Sequence, residues 1–390
     1  MSEIFNYWQL LLIPLFFGLG WAAARIDIRQ VVHESRALPR SYFQGLNFLL
    51  NEQPDKAIDS FLEVAKIDPQ TVELHFALGN LFRRRGETER AIRMHENLIE
   101  RGDLDEVFRL QALLELGQDY LKAGLLDRAE AIFNRLLGTA RDEEAKRNLL
   151  EIYQVEKEWQ KAVDVARELP GAASQKDIAE YYCELAAGEI IRSRPDPARE
   201  YLETALQHNR KCVRASLLQG DLLVQEGRLG EAIEAWQRIE QQDPAFLSLI
   251  AQRLLEAYRT GERRDEGIAL LRGYLERYPS LDLLDVVYQL VLESGGSEAA
   301  YRLVRDELQR NPTLVGLEKL MSARLPLVAP ETRSDLELAK SIVQGYTKRL
   351  SRYQCNACGF KARQFYWRCP ACGGWETYPP KRSEEFDLSL

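Results

Sequence analysis

The sequence is poor in the residues that do chemistry. Its 390 residues include four histidines and six cysteines. The histidines are scattered, with neither metal-ligand nor triad spacing, so no catalytic constellation emerges. Net positive charge is also lacking: 60 acidic against 52 basic residues leave −8, which argues against whole-surface attraction to nucleic acid. Basic residues are missing from the first 24 positions, where a secretory signal peptide needs a positive start. What remains is an ordinary folded body, 45% apolar and 29% charged, longer than one hydrophobic core usually organises.

One long uncharged run is present. Ile4 to Ala24, IFNYWQLLLIPLFFGLGWAAA, reaches roughly 31 Å as a helix, about one bilayer core. Tyr7, Trp8 and Trp21 stand near its ends, where amphipathic rings prefer the headgroup level. Residues 1–24 therefore read as a transmembrane anchor. A cleaved signal peptide is the alternative, since Ala22-Ala23-Ala24 resembles a cleavage site, but the flank before the run carries Glu3 and no cation. Arg25, Arg29, Arg36 and Arg40 follow the run, so the positive-inside rule keeps the rest of the chain in the cytoplasm, beyond a juxtamembrane segment at 25–37. Cysteines gathered in that reducing compartment point to metal rather than to disulfides.

A repeat runs through the middle. Ala57, Ala91, Ala129, Ala162, Ala198, Ala232, Gly267 and Ala300 are separated by 34, 38, 33, 36, 34, 35 and 33 residues. Twelve positions before several of them stand Gly45, Gly79, Gly117, Ala186 and Gly220, and twelve after several stand Pro69, Pro244, Pro279 and Pro312. SLLQGDLLVQEGRLGEAIEAWQRIEQQDP is the clearest copy, and it resembles the tetratricopeptide repeat: two amphipathic helices, glycine where they cross, alanine in the second, proline closing the unit. About eight copies fit between residues 38 and 312. Copies near Trp159 and Pro195 depart most from the pattern. Such an array holds proteins or peptides and implies no reaction. By resemblance its first helices line the binding surface, which nominates Asn80, Arg83 and Arg84; a solvated helix face is the plainer expectation for them. Gln111, Leu114 and Glu115 stand where a clamp for a C-terminal carboxylate would need basic and amide groups, so that clamp is not expected.

Beyond Pro312 the period fails. Residues 313–350 read as a linker at 326–334 and then a capping helix with Leu336, Ile342, Val343, Tyr346 and Leu350 at helical spacing. Residues 351–380 carry the densest chemistry, and 381–390 form a tail. Cys355-x2-Cys358 and Cys369-x2-Cys372 are two knuckles ten residues apart, and four thiolates so spaced close a tetrahedron around one zinc or iron ion. The site would be structural, since four sulfurs leave no open position, and zinc is favoured. The stretch resembles a rubredoxin-type zinc ribbon, and CGF…CPACGGW is also similar to the short ribbon of a bacterial DNA-repair ATPase family. An iron-bearing electron carrier is the rival reading, although true rubredoxins separate their knuckles by a longer insert. Cys183 and Cys212 lie in repeat helices and read as small core residues. Lys348 to Arg382 carries eight cations and one anion. With Phe360, Phe365, Tyr366, Trp367 and Trp375 interleaved it could meet nucleic acid; the plainer reading is a small aromatic core around the metal, with the cations facing acidic repeats or anionic lipid.

The expected fold is thus all-α, a tetratricopeptide-repeat superhelix with an N-terminal transmembrane helix and a small rubredoxin-like ribbon. That order of parts resembles, over nearly the whole chain, the bacterial lipopolysaccharide assembly protein B family. The resemblance implies a non-enzymatic inner-membrane adaptor. It would help a membrane-bound AAA+ protease degrade the deacetylase that commits material to lipid A synthesis, among other lipopolysaccharide assembly proteins. Composition and spacing show only an anchored protein-binding scaffold, and a scaffold for another envelope assembly stays open at this point.

Overall fold

The computed structural model describes residues 40–51, 53–67, 72–169, 175–380 and 382–384. The expected span at 1–24, the juxtamembrane segment at 25–37, Pro69 and the tail beyond 384 lie outside them. Among the described residues no helix is long and apolar enough to cross a membrane. The chain divides into two compact units, one up to Ile152 and one from Tyr153.

Helices follow one another in antiparallel pairs. In order they are α1 Arg40–Leu50, α2 Pro54–Ile67, α3 Val72–Arg85, α4 Thr88–Glu100, α5 Glu106–Lys122, α6 Leu126–Leu136 and α7 Asp142–Glu156, then α8 Trp159–Glu168, α9 Gln175–Ile191, α10 Pro195–His208, α11 Val213–Gln225 and α12 Leu229–Gln237. The last are α13 Leu247–Thr260, α14 Arg264–Arg277, α15 Leu281–Arg310, α16 Leu314–Arg324 and α17 Pro330–Leu350. The turn within a pair needs one residue in the left-handed region. Gly86, Gly124 and Gly227 supply it at φ 80°, 74° and 76°. Where the sequence offers no glycine the same conformation is held by Lys157, Ser193 and Glu262, at φ 61°, 58° and 56°. The two copies that look least regular in sequence therefore keep the turn, at a strain of order 1 kcal/mol each.

The small residues of the repeat have a common reason. The periodic alanines, Ala57 to Ala300, have no exposed surface. Glycine lies sixteen residues before a ring on the second helix of its pair: a Cβ on Gly45, Gly117 or Gly220 would fall 2.5, 2.6 or 2.2 Å from Phe61, Phe133 or Trp236. In the second copy the ring is His95, 2.4 Å from a Cβ on Gly79. Only a bare backbone lets these helices cross so closely.

Two features differ from the sequence reading. Helix α17 begins at Pro330, so the last five residues of the expected linker are its first turn; proline at the first helical position costs no hydrogen bond. On that helix Leu336 and Val343 are half-buried, whereas Ile342 and Tyr346 are more than half exposed, with Leu338 beside them. The apolar spacing was thus right for a helix and wrong for its buried side. The last copy keeps its two helices as well: both lie within α15, and the turn between them falls at Gly296 (φ 72°, ψ −175°).

Candidate metal centre

Helix α17 leads without a break into β1 (Ser351–Gln354), which pairs antiparallel with β2 (Lys361–Ala362) on one side and β3 (Ser383–Glu384) on the other. This three-stranded ribbon is the β exception to an otherwise helical chain among the described residues.

The two knuckles are built alike. In the first, Gly359 N–H donates to the Cys355 carbonyl at 2.9 Å and Cys355 N–H to the Phe360 carbonyl at 2.9 Å. In the second, Gly373 N–H donates to the Cys369 carbonyl at 2.8 Å and Cys369 N–H to the Gly374 carbonyl at 2.9 Å. Each tight turn requires a left-handed residue, and Gly359 and Gly373 sit at φ 75° and 70°. All four sulfurs lie within 4.8 Å of one another. Cys355 to Cys372 is 3.8 Å and Cys358 to Cys369 is 3.7 Å. Bonds of about 2.3 Å at the tetrahedral angle separate two zinc thiolates by about 3.8 Å, so the sulfurs stand where such an ion needs them.

The electrostatics fit a cation as well. Burial raises the Cys355 thiol, but the Thr377 hydroxyl, 3.4 Å away, and the N–H groups of Cys358 and Ala357 outweigh it and bring it down to about 6. For Cys358 the Phe360 N–H pulls the other way, yet burial and the neighbouring sulfurs push it up to about 12. Thiolates this close repel one another, and a bound cation offsets that repulsion. Cys355, Cys358, Cys369 and Cys372 can therefore hold one metal ion, and with four sulfurs around it the ion has no place for a substrate.

A small aromatic core supports the knuckles: Tyr378 is buried among Tyr353, Phe360, Phe365 and Tyr366, and its hydroxyl donates to the Tyr353 carbonyl at 3.1 Å. The two tryptophans do not join it. Trp367 stacks on Phe246 (5.6 Å, 10°), and Trp375 meets Trp159 and Tyr181 edge-on at 6.0 and 6.2 Å. Arg214 serves both, its guanidinium 5.6 Å from the Trp367 ring and 5.8 Å from the Trp375 ring. Arg368 donates to the Gln154 side-chain oxygen at 2.7 Å, Arg382 pairs with Asp282 at 2.7 Å and Asp285 at 3.1 Å, and the Ser248 hydroxyl donates to the Pro380 carbonyl at 3.1 Å. Gln154, Tyr181, Arg214, Ser248 and Asp282 belong to α7, α9, α11, α13 and α15, the first helices of five successive pairs. Within the second unit the ribbon thus lies along the row of first helices. The sequence placed Trp367 and Trp375 in a core around the metal; they are the ribbon's grip on the repeats instead. The cations do partly what was expected, since Arg382 meets repeat carboxylates.

The residues nominated in the second copy lie elsewhere, in the first unit. Arg83 donates to Asn80 at 2.6 Å, to the Glu115 carboxylate at 2.6 Å and to Asp119 at 2.8 Å. Asp119, fully buried, also meets His95 Nδ1 at 2.5 Å. Asn80 and Arg83 are therefore spoken for within the repeats, and Arg84 alone of the three is exposed. The partners Gln154, Trp159, Tyr181, Arg214, Phe246, Asp282 and Asp285 were missed. Arg214 left the clearest trace, a charge at the start of an apolar helix, VRASLL.

These features define the class: a tetratricopeptide-repeat protein carrying a metal ribbon seated on its own repeats. Tetratricopeptide-repeat family models match residues 74–107, 114–177 and 192–245, and the model of a rubredoxin metal binding domain matches 353–380. Lipopolysaccharide assembly protein B of Escherichia coli K12 is 38% identical over 383 residues, spanning 95% of this chain and 97% of that protein. Its namesake in Haemophilus influenzae is 30% identical, over 96% and 98%. The chain belongs to the lipopolysaccharide assembly protein B family. Among solved structures, the complex of yeast Sti1 TPR2AB domain with pHSP90 aligns with 68% of this chain and 95% of its own, at 18% identity and a TM-score of 0.31.

Proposed function

We propose that this chain is an inner-membrane adaptor that limits lipopolysaccharide synthesis. Anchored by residues 1–24 with its bulk in the cytoplasm, it presents the deacetylase of the committed lipid A step to a membrane-bound AAA+ protease, alongside other lipopolysaccharide assembly proteins. Family membership supplies the biological process. The physical support is the ribbon seated on five first helices, because it makes ribbon and repeats one continuous docking surface for a protein partner. A structural zinc ion holds that surface in shape. Tethering raises the local concentration of client and protease, and no chemistry by the adaptor itself is required.

Crosslinking and capture from intact membranes tests this reading. The deacetylase and the protease are expected with the full chain and lost on deletion of residues 1–24. Full function from a strictly cytosolic truncation would overturn the anchoring, and an iron-loaded ribbon with a reversible redox wave would overturn the adaptor in favour of electron transfer.

A further inference from the structure

The seam between ribbon and repeats holds a second set of donor atoms. Glu180 and Cys183 lie on α9 less than a turn apart, Cys212 is the residue before α11, and Glu376 comes from the ribbon. One sulfur of Cys212 and one oxygen each of Glu180 and Glu376 all lie within 4.8 Å of one another. Cys183 Sγ is 3.7 Å from Cys212 Sγ, the separation found between thiols of the ribbon centre. Glu180, Cys183 and Cys212 have no exposed surface, and Glu376 is half-buried in the left-handed region at φ 52°.

Two carboxylates so close, away from water, need compensation. Arg214 offers one positive charge, 3.3 Å from Glu180 and shared with Glu184 at 2.8 Å. Around Glu376, Asp177 and Asp243 add negative potential and Lys176 opposes them. Burial, with Glu376 adding to it against Arg214, lifts the Glu180 carboxyl to about 7, and burial lifts Glu376 too. The cluster is short of positive charge.

We propose that Glu180, Cys212 and Glu376 form a second metal site, for a borderline divalent cation such as zinc, that pins the ribbon to the repeats, with Cys183 in reach as a further donor. Mixed sulfur and oxygen donors suit that ion. On binding, the Cys212 proton and any proton held by Glu180 leave to solvent. A dication, the Arg214 guanidinium and nearby Lys176 then offset the Glu180, Glu376 and Glu184 carboxylates and one thiolate. Glu180 Oε1 faces Cys212 Sγ at 3.7 Å while Oε2 faces Arg214, which is how an outer-shell donor orients a ligating carboxylate. Because the ribbon contributes Glu376, the site exists only when the ribbon is seated.

The test is metal stoichiometry of the full chain in detergent, dialysed against buffered zinc, with cobalt as a spectroscopic probe. Two equivalents are expected in the native protein. Cys212→Ser and Glu376→Gln should each bind one, keeping the tetrathiolate cobalt spectrum of the ribbon, and Cys358→Ser should lose both. Glu376→Gln changes a half-exposed side chain, so it decides the matter even if Cys212→Ser misfolds. A single equivalent in the native protein would mean that a proton fills the cluster and would overturn the proposal. So would a second equivalent that survives in both seam variants.

Discussion

Replacing Trp367 by alanine should unseat the ribbon without emptying it. The indole stacks on Phe246 and lies over Arg214, both on the repeats, whereas its edge contact with Phe365 stays within the ribbon. The stacked pair contributes about 1 kcal/mol beyond burial and the cation contact about another 1 kcal/mol. Half-burying an indole, roughly 100 Å² of apolar surface, adds about 2 kcal/mol. The seated state should therefore lose about 3 to 4 kcal/mol, two to three decades in the seating equilibrium. Cys212, buried and facing Glu376, reports on this seam, since a thiol reagent reaches it through opening. Labelling of Cys212 in the native state, read by mass spectrometry, should accelerate by about that factor in Trp367→Ala and by less than about tenfold in Trp367→Phe. The tetrathiolate metal should stay bound in both. An unchanged labelling rate would refute the role given to Trp367, and loss of the ribbon metal would refute the separation of seating from metal binding.

Three further outcomes follow from the packing. Gly220→Ala puts a methyl 2.2 Å from Trp236 Nε1, whose N–H donates to the Leu217 carbonyl; it should cost about 1–3 kcal/mol in chemical unfolding, whereas Gly230→Ala, with nothing within 4 Å, should be neutral or stabilising by up to about 1 kcal/mol. Asp119→Ala leaves buried His95 Nδ1 without its partner, while Arg83 keeps Glu115 and Asn80; it should destabilise the first unit by about 1–3 kcal/mol in urea unfolding, with ribbon metal content unchanged. A strong chelator should abolish the ribbon's strand amide protection while far-UV circular dichroism keeps its helical intensity, because a module this small depends on its metal and repeats are stabilised by their neighbours. Helix loss in step with metal loss would show instead that the ribbon is the keystone of the repeats.

Sequence by itself determined whatever is encoded locally. The 34-residue period, the glycine and ring sixteen apart, and the knuckle spacing each describe contacts made within one helical pair or one turn, so residue identity at fixed offsets suffices. The left-handed turns at Lys157 and Ser193 show the limit of that code, since the geometry is imposed there by the flanking helices and leaves no glycine to read. Tertiary structure decided which sides of the elements meet. Spacing marked Ile342 and Tyr346 as apolar helix positions but could not say that α17 turns them outward, and it gave Asn80 and Arg83 a helix without revealing that Arg83 ties to Glu115 and Asp119 one repeat later. The seat of the ribbon was the least legible feature. Arg368 meets Gln154 across 214 residues of chain, and Trp367 meets Phe246 across 121. Those pairings depend on how five repeats stack, a rotation accumulated from every helix crossing, which no single stretch of the sequence specifies.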